Sequence, residues 1–442
     1  MGKQFLEITE QQDAEALIAR VATALVERRT MSGRTVERVS ITEALGRIAA
    51  ADIVSALDVP PFDRSTMDGY AVVAADTFYA DEDHPVSLLL QGVVYAGEQV
   101  SQTVTGGSCM GIATGAPLPE GANAVVKIEN TAEYEERREG RSVKAVKIFK
   151  PVAPAENVMR AGSDIKQGER ILTTAAVLTL RATGVLAACG LKDVLVHQKP
   201  RVAILSTGNE LVTPGETLPP AKIYDVNAQT LCDSVRALGC IPYALGIARD
   251  TREALAEKLQ QATDKGADVI LVSGGTSAGG GDLLPQALEE RGEILVHGVD
   301  IKPGKPFIFG MLQERPIFGL PGNPTSTLIT FNQFVAPLLR RLSGAVFTTD
   351  LAGKQGRIIT ARVTQRVFSE PGRNEYVLVN LIASRSPDAH PLATPMLSGS
   401  GAITTLAKAD GYLFMPKGKE LLEENELVDV VLFAEFPFAT QW

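Results

Sequence analysis

The period of the apolar positions changes along the chain, and each change predicts a change of architecture. Residues 12–30 place Ala16, Leu17, Ile18, Val21, Ala24 and Leu25 on one broad face, which predicts a helix. A second helix is expected over Ser40–Ala51, followed by the proline-rich extended run Leu57–Asp63. From 70 to 165 the pattern shortens: Tyr70–Ala75, Ala124–Glu129 and Val143–Phe149 alternate between Gly, Pro and Asn breaks, as short strands do. Residues 175–189 return to an alanine-rich helical pattern, so the β region reads as inserted into a helical element.

Residues 200–344 then alternate strands with helices. Arg201–Ser206, Ile241–Ile247, Asp268–Ser273, Pro306–Gly310 and Pro316–Leu320 read as strands. Ala228–Leu238, Thr251–Asp264, Asp282–Arg291 and a long Asn323–Leu342 segment read as helices. Such alternation implies a parallel sheet covered on both faces. Period two returns in Arg357–Val367 and Tyr376–Leu381. The expected fold class is α/β multidomain: a helical and extended N-terminal region (1–55, continued by 168–196), an inserted mostly-β domain (56–167), a central doubly wound, mostly parallel α/β domain (197–345) and a C-terminal β-barrel-like domain (346–442).

Composition changes this picture mainly by exclusion. The net charge of −9 argues against nucleic acid and against an anionic membrane surface. Cys109, Cys189, Cys232 and Cys240 form no CxxC pair, so neither a zinc knuckle nor a redox dithiol is expected. Met1–Glu10 has no apolar core for a signal peptide, and no apolar run approaches the roughly 20 residues that span a bilayer. A cytoplasmic protein is expected.

The candidate chemistry gathers at three glycine turns that follow strands: Ser206–Glu210, Ser273–Asp282 and Gly319–Pro324. In open parallel sheets ligands bind beyond the carboxyl ends of the strands, where glycines let backbone N–H groups approach an anion. No GxGxxG follows Arg201–Ser206, and the Gly298–Pro306 stretch departs from a P-loop in spacing and in its missing Ser or Thr. GxSxG and HExxH are absent and the four histidines are scattered, so covalent hydrolase chemistry is not expected. Lys302-Pro303-Gly304-Lys305-Pro306 puts two lysines around a stiff turn, either as a solvated surface turn or converging on one small anion. Asp68 reads as an Asp-Gly turn or a functional carboxylate, and Asp250 with Glu253 as a capping box or a metal carboxylate. Asp282 opens a helix and has the same two readings, while Asp164 sits in a loop with no local reason to be acidic.

Taken in order, several stretches resemble the molybdopterin molybdenumtransferase family, the MoeA proteins and the gephyrin E domain. They are Pro60–Ala71, Thr114–Gly121, Gly162–Ile165, Ser206–Leu211, Ile223–Asn227, Ser273–Ser277, Ile301–Pro306, Gly319–Pro324, Ser398–Gly401 and Leu406–Gly411. The resemblance implies an elongated homodimer of four-domain subunits whose α/β domain binds the pterin, with other molybdenum cofactor biosynthesis proteins as further partners. It implies molybdate insertion into adenylylated molybdopterin, with Mg2+ and release of AMP. It carries over Asp68, Asp164, Asp250, Asp282 and Ser277 as catalytic positions, with Asp282 and Asp250 toward metal. Thr114, Glu210, Lys302, Lys305, Ser326, Arg373 and Ser400 come over as substrate-binding positions. Departures stand at Ser163, Asn209, the Thr276–Asp282 turn and Gly298, where relatives often carry other residues. A tungstate-inserting paralogue and a non-catalytic pterin-binding or scaffold protein remain as alternative readings.

Overall fold

The structure is a computed structural model. It describes residues 8–33, 35–138, 141–276, 283–344, 358–384, 390–396, 399 and 401–433.

The first helix, Gln11–Met31, buries Ala14, Ile18, Ala22 and Leu25 at helical spacing. They pack against the Ala336–Leu342 helix and join the core formed with Val202, Leu271 and Phe318 of the α/β sheet. The helix expected over Ser40–Ala51 is absent. Only a single 3-10 turn, Ile41–Glu43, forms there. Gly46 sits at φ +73° and its N–H goes to Leu178 O, so the chain leaves helical geometry and forms isolated bridges at Ile48–Val177 and Ala49–Val196. Ala44 and Ala49 pack there against Leu178, Leu186 and Val196, with the Leu180–Ala188 helix closing this small core.

The inserted region forms a six-stranded sheet in the order Ala124–Lys127, Gly69–Val72, Ser108–Ile112, Val86–Val94, Arg141–Ile148, Thr131–Arg138. Alternate residues feed two cores: Tyr70, Val72 and Val126 on one face, Ala71, Val125 and Met110 on the other.

The central sheet runs Ile241–Ala248, Arg201–Thr207, Val269–Ser273, Arg315–Leu320, Ile308–Leu312, Gly292–His297. The first four are parallel, and Ile308–Leu312 runs antiparallel to both of its neighbours. Val202, Ile204, Val269 and Leu271 face one helical layer; Ala203, Leu205, Ile270 and Val272 face the other. Such two-sided burial explains the nearly unbroken apolar runs. The long C-terminal helix is three pieces: Pro324–Thr330, a π-helical turn Phe331–Val335, and Ala336–Leu342. Pro337 supplies the reason. It has no N–H for the regular ladder and its ring would meet the carbonyl of Gln333, so the turn before it widens.

In the C-terminal region Asn374–Ile382, Leu392–Pro395, Ile358–Val363, Leu427–Leu432 and Gly411–Met415 close on themselves, because Gly411–Met415 pairs back with Asn374–Ile382. The barrel holds Val363, Val379, Leu413, Met415 and Val430 in its core. It meets the α/β domain where the Ile301–Lys302 strand adds in parallel beside Asn374 and Glu375. The Ile403–Lys408 helix also packs on Pro324–Thr330.

Candidate functional site

Three neighbouring parallel strands of the central sheet end in the three glycine bends, so the bends share one edge. Gly274, at φ +89°, donates its N–H to Leu320 O at 3.0 Å, and a Cβ there would lie 2.4 Å from Thr207 O. Only glycine lets the second bend lie against the first. Gly322 of the third bend comes within 3.8 Å of Gly274 Cα, measured from an added Cβ. Asn227 ties the second and third bends together, donating Nδ2 to Ser273 Oγ at 2.8 Å and to Gly322 O at 2.7 Å. It is held one residue into the Val226–Ala237 helix, which Asp225 caps through Ala228 N. Ser206 Oγ, Thr207 Oγ1 and Asn227 Oδ1 are buried at this edge with no hydrogen-bond partner among the described residues. Buried polar atoms are rarely left so, and a polar ligand or water would satisfy them.

Asp250 lies beside this edge. Its Oδ2 accepts from Asn209 N at 3.0 Å, and its own N–H donates to Asn209 Oδ1 at 3.2 Å. The capping-box reading of Asp250 with Glu253 fails, because Thr251 is the cap and accepts from Ala254 N. Asp250 is thus free of a helix-capping duty. Lys222 Nζ bonds Asn209 O, and the Glu210 carboxylate lies over Gly208, 2.8 Å from where a Cβ would stand. Asp282 and Ser277 lie outside the described residues, as does Ser400. Among the described residues no three His, Cys, Asp or Glu side chains converge as a metal cage. A carboxylate at the edge such as Asp250 fits a cation that takes its remaining ligands from phosphate and water, as magnesium does.

Asp68 and Thr114 come together in the inserted domain. Asp68 Oδ1 accepts from Thr114 N at 2.8 Å and from Thr114 Oγ1 at 3.1 Å. Asp68 is therefore more than a hairpin turn residue: it reaches across to a second loop. That loop is bound to the first by Ser65 N to Ala116 O and by Gly115 N to Ser65 O. A third loop joins them through Thr66 N to Asn157 O and Gly162 N to Pro60 O. Exposed Asp164 sits on it, its N–H on Val59 O. No hydrogen bond or ion pair joins Asp68 or Thr114 to the α/β sheet edge among the described residues.

The lysine turn lies at the barrel junction. Gly304, at φ +128°, packs against the Ser326 helix, where a Cβ would meet Thr330 Cγ2 at 2.6 Å. Ser326 is buried one turn back, its carbonyl accepting from Thr330 Oγ1. Gly401 approaches the same helix start, 3.9 Å from Asn323 Oδ1 by its added Cβ. Lys302 Nζ lies 3.2 Å from Glu375 Oε1 and 3.3 Å from Glu370 Oε1; Arg373 Nη1 is 4.0 Å from Glu370 Oε2. Burial works against the Lys302 charge, but the Glu375 and Glu370 carboxylates outweigh it and raise its pKa above the ordinary value. Lys305 is half-buried, with no carboxylate partner among the described residues. The solvated-turn reading of the lysines is therefore too weak: the turn is clamped between a helix and a barrel strand.

The structure thus places Asp250 and Glu210 at the sheet edge, sets Lys302, Lys305, Arg373 and Ser326 at the barrel junction, and groups Asp68, Thr114 and Asp164 on the inserted domain. Sequence reasoning missed Asn227, Glu370 and Glu375 as site residues. Asn227 stood inside the Ile223–Asn227 stretch, and a polar residue on the inner face of a helix was its available signal.

Comparison with known proteins gives this layout its family. Residues 9–190 match the MoeA N-terminal region (domain I and II), 203–341 the probable molybdopterin binding domain, and 360–433 the MoeA C-terminal region (domain IV). The chain is 33% identical to a putative molybdopterin biosynthesis protein of Methanocaldococcus jannaschii, over 90% of this chain and 92% of that one. The chain belongs to the MoeA family, the molybdopterin molybdenumtransferases.

Other MoeA-family relatives agree. The molybdopterin molybdenumtransferase of Nostoc is 32% identical over 90% of this chain and 89% of its own. The crystal structure of the molybdopterin biosynthesis MoeA protein of Pyrococcus horikoshii matches with TM-score 0.79 and 39% identity, covering 97% of this chain and all of that one. The α/β multidomain architecture is therefore the MoeA architecture. No helix among the described residues is long and apolar enough to cross a membrane.

Proposed function

We propose that the protein inserts molybdate into adenylylated molybdopterin and releases AMP. The observation that carries this reading is the position of Lys302: on a strand shared with the barrel, beside the helix that starts at the third glycine bend. Two anionic reactants repel each other, and at short range in a site of low effective dielectric that repulsion costs several kcal/mol. Lys302, Lys305 and Arg373 offset it for the oxyanion, and Ser326 lies on the helix against which the lysine turn packs. The glycine bends, with the unpartnered Ser206, Thr207 and Asn227 atoms, offer backbone and side-chain polar groups to the pterin and its phosphates.

Asp250 together with Asp282 would hold magnesium, which supplies counter-charge to the phosphate that leaves as AMP. Glu210 lines the same edge. Asp68 and Asp164, with Thr114, stand on a separate loop cluster, so their part in the reaction requires that cluster to reach a sheet edge. A homodimer would supply the contact between one subunit's inserted domain and its partner's α/β domain. Leu45, Val54, Val177 and Leu180, exposed on the N-terminal element, are apolar surface for such an interface. We place the reaction in the cytoplasm.

The test is direct. Purified protein is incubated with adenylylated molybdopterin, magnesium and either molybdate or tungstate. AMP released in step with metal bound to the pterin supports the reading, and the oxyanion that drives it fixes the metal. Lys305→Ala should raise the molybdate concentration needed for half-maximal AMP release while leaving the fold intact. An unchanged requirement would remove Lys305 from the site.

A further inference from the structure

The resting oxyanion seat already contains an anion. Glu370 and Arg373 flank the Pro371-Gly372 turn, with Gly372 at φ +84°, the backbone that lets positions three apart present their side chains together. One oxygen of Glu370 lies 3.3 Å from Lys302 and the other 4.0 Å from Arg373. A single carboxylate therefore spans two of the three cations assigned to the oxyanion, as two oxygens of a tetrahedral dianion would. Its side chain is 64% exposed, on a turn. Glu375 differs. It is 12% exposed, lies in the Asn374–Ile382 strand directly beside Lys302, and its Oε2 is buried with no hydrogen-bond partner among the described residues.

We propose that Glu370 is a tethered carboxylate that occupies the oxyanion seat and swings out when the dianion enters, whereas Glu375 stays and positions Lys302. The proposal rests on reading Lys302, Lys305 and Arg373 as the oxyanion seat. Charge matching supports it. With both carboxylates in place, the three cations retain one net positive charge. With Glu370 in solvent they retain two, the charge that a dianion neutralises. The exposed residue on the turn can leave at small cost; the Glu375 carboxylate, 12% exposed and directly beside Lys302 across the strand pair, has little open space to leave into. Competition of this kind lowers affinity by the same factor for every anion that needs the seat, so only an anion whose contacts with the cations exceed that cost enters.

The experiment measures binding rather than turnover. The full-length protein is dialysed to equilibrium against molybdate over a wide concentration range, and bound molybdenum is counted by elemental mass spectrometry at low and at physiological ionic strength. Glu370→Gln should bind molybdate roughly two- to fivefold more tightly than the unmodified protein, the scale of losing a partly exposed ion pair, with the larger gain at low salt. Glu290→Gln removes the same charge from an exposed pair with Arg252 on another helix and should leave binding unchanged. Equal or weaker binding by Glu370→Gln overturns the displacement, as does equal tightening by Glu290→Gln. Lys305→Ala and Arg373→Ala separate the two levels of the argument. If both bind like the unmodified protein, the seat itself is misplaced. If either loses binding while Glu370→Gln changes nothing, the seat stands and only the tethered anion is wrong.

Discussion

Asn227 Nδ2 donates both to Ser273 Oγ at 2.8 Å and to Gly322 O at 2.7 Å, so one amide on a helix sets the spacing of two glycine bends. The bond to Ser273 is buried and the one to Gly322 partly so, and the Oδ1 of the same side chain has no hydrogen-bond partner among the described residues. Asn227→Leu should destabilise the protein by about 1–3 kcal/mol, because the buried Ser273 hydroxyl loses its donor away from solvent. It should weaken pterin binding more than oxyanion binding, since the bends lie on the pterin side of the proposed site. Thermal unfolding and separate titrations with each ligand check this. A uniform loss for both ligands would point to general unfolding.

The large features were legible because they rest on local chemistry. The Val269–Ser273 strand is apolar up to its last residue and wholly buried, and Gln11–Met31 carries a helical period that no glycine or proline interrupts. Misreadings arose where a distant contact overrode a local pattern. Ser40–Ala51 has helical composition, but Gly46 gives its N–H to Leu178 far along the chain. The Gly292–His297 strand escaped notice because its antiparallel partner, Ile308–Leu312, follows after the lysine turn. Glu370 and Glu375 were invisible for the same reason: their meaning comes from a strand pairing across more than one domain. The glycine bends and lysines were readable from residue type; the carboxylates that oppose the lysines were not.

Thr251 and Asp250 are adjacent, yet their duties separate cleanly. Thr251 caps the Arg252–Asp264 helix through Ala254 N, whereas Asp250 bonds the Asn209 backbone beside the first glycine bend. Thr251→Ala should cost about 1 kcal/mol of stability, the usual loss of a cap, with AMP release nearly unchanged once folded. Asp250→Asn should leave the unfolding curve unchanged, since an amide oxygen still accepts from Asn209 N, but raise the magnesium needed for AMP release. Unfolding curves paired with a magnesium titration distinguish the two. If Asp250→Asn instead destabilises as Thr251→Ala does, its carboxylate is structural.

Gly304 carries a clear steric prediction. Its φ of +128° disfavours any side chain, and a Cβ would meet Thr330 Cγ2 at 2.6 Å and Ile301 Cδ1 at 2.9 Å. Gly304→Ala should push the lysine turn off the Ser326 helix and cost about 1–3 kcal/mol. Thr330→Ser removes the first of those contacts while keeping the hydroxyl on Ser326 O. In the double variant part of the loss in stability and oxyanion binding should return. No recovery in that pair would mean that the backbone strain, and not the Thr330 methyl, carries the cost.

The acid side of the stability curve should report His197. The ring is half-buried against the backbone of Gly344, where a Cβ would come within 2.3 Å of Cδ2. Burial lowers its pKa below the ordinary 6.5, the positive charge of Arg29 adds to that, and a bond to the Thr35 backbone works the other way. The sign follows from proton uptake. Below about pH 6.5 the unfolded histidine takes a proton that the folded one refuses, so the unfolded chain binds more protons and stability falls as pH falls. The loss grows until the pH passes the lowered folded value, and above about pH 7 both states are neutral and His197 contributes no slope. His197→Gln keeps polarity without a titrating ring, so its melting temperature should decline less between about pH 7 and pH 5 than that of the unmodified protein. Carboxylates elsewhere contribute alike to both curves and cancel in the difference. Parallel curves over that window would show that the ring is solvated enough to titrate as it does in the unfolded chain, and that Gly344 shields it less than the packing implies.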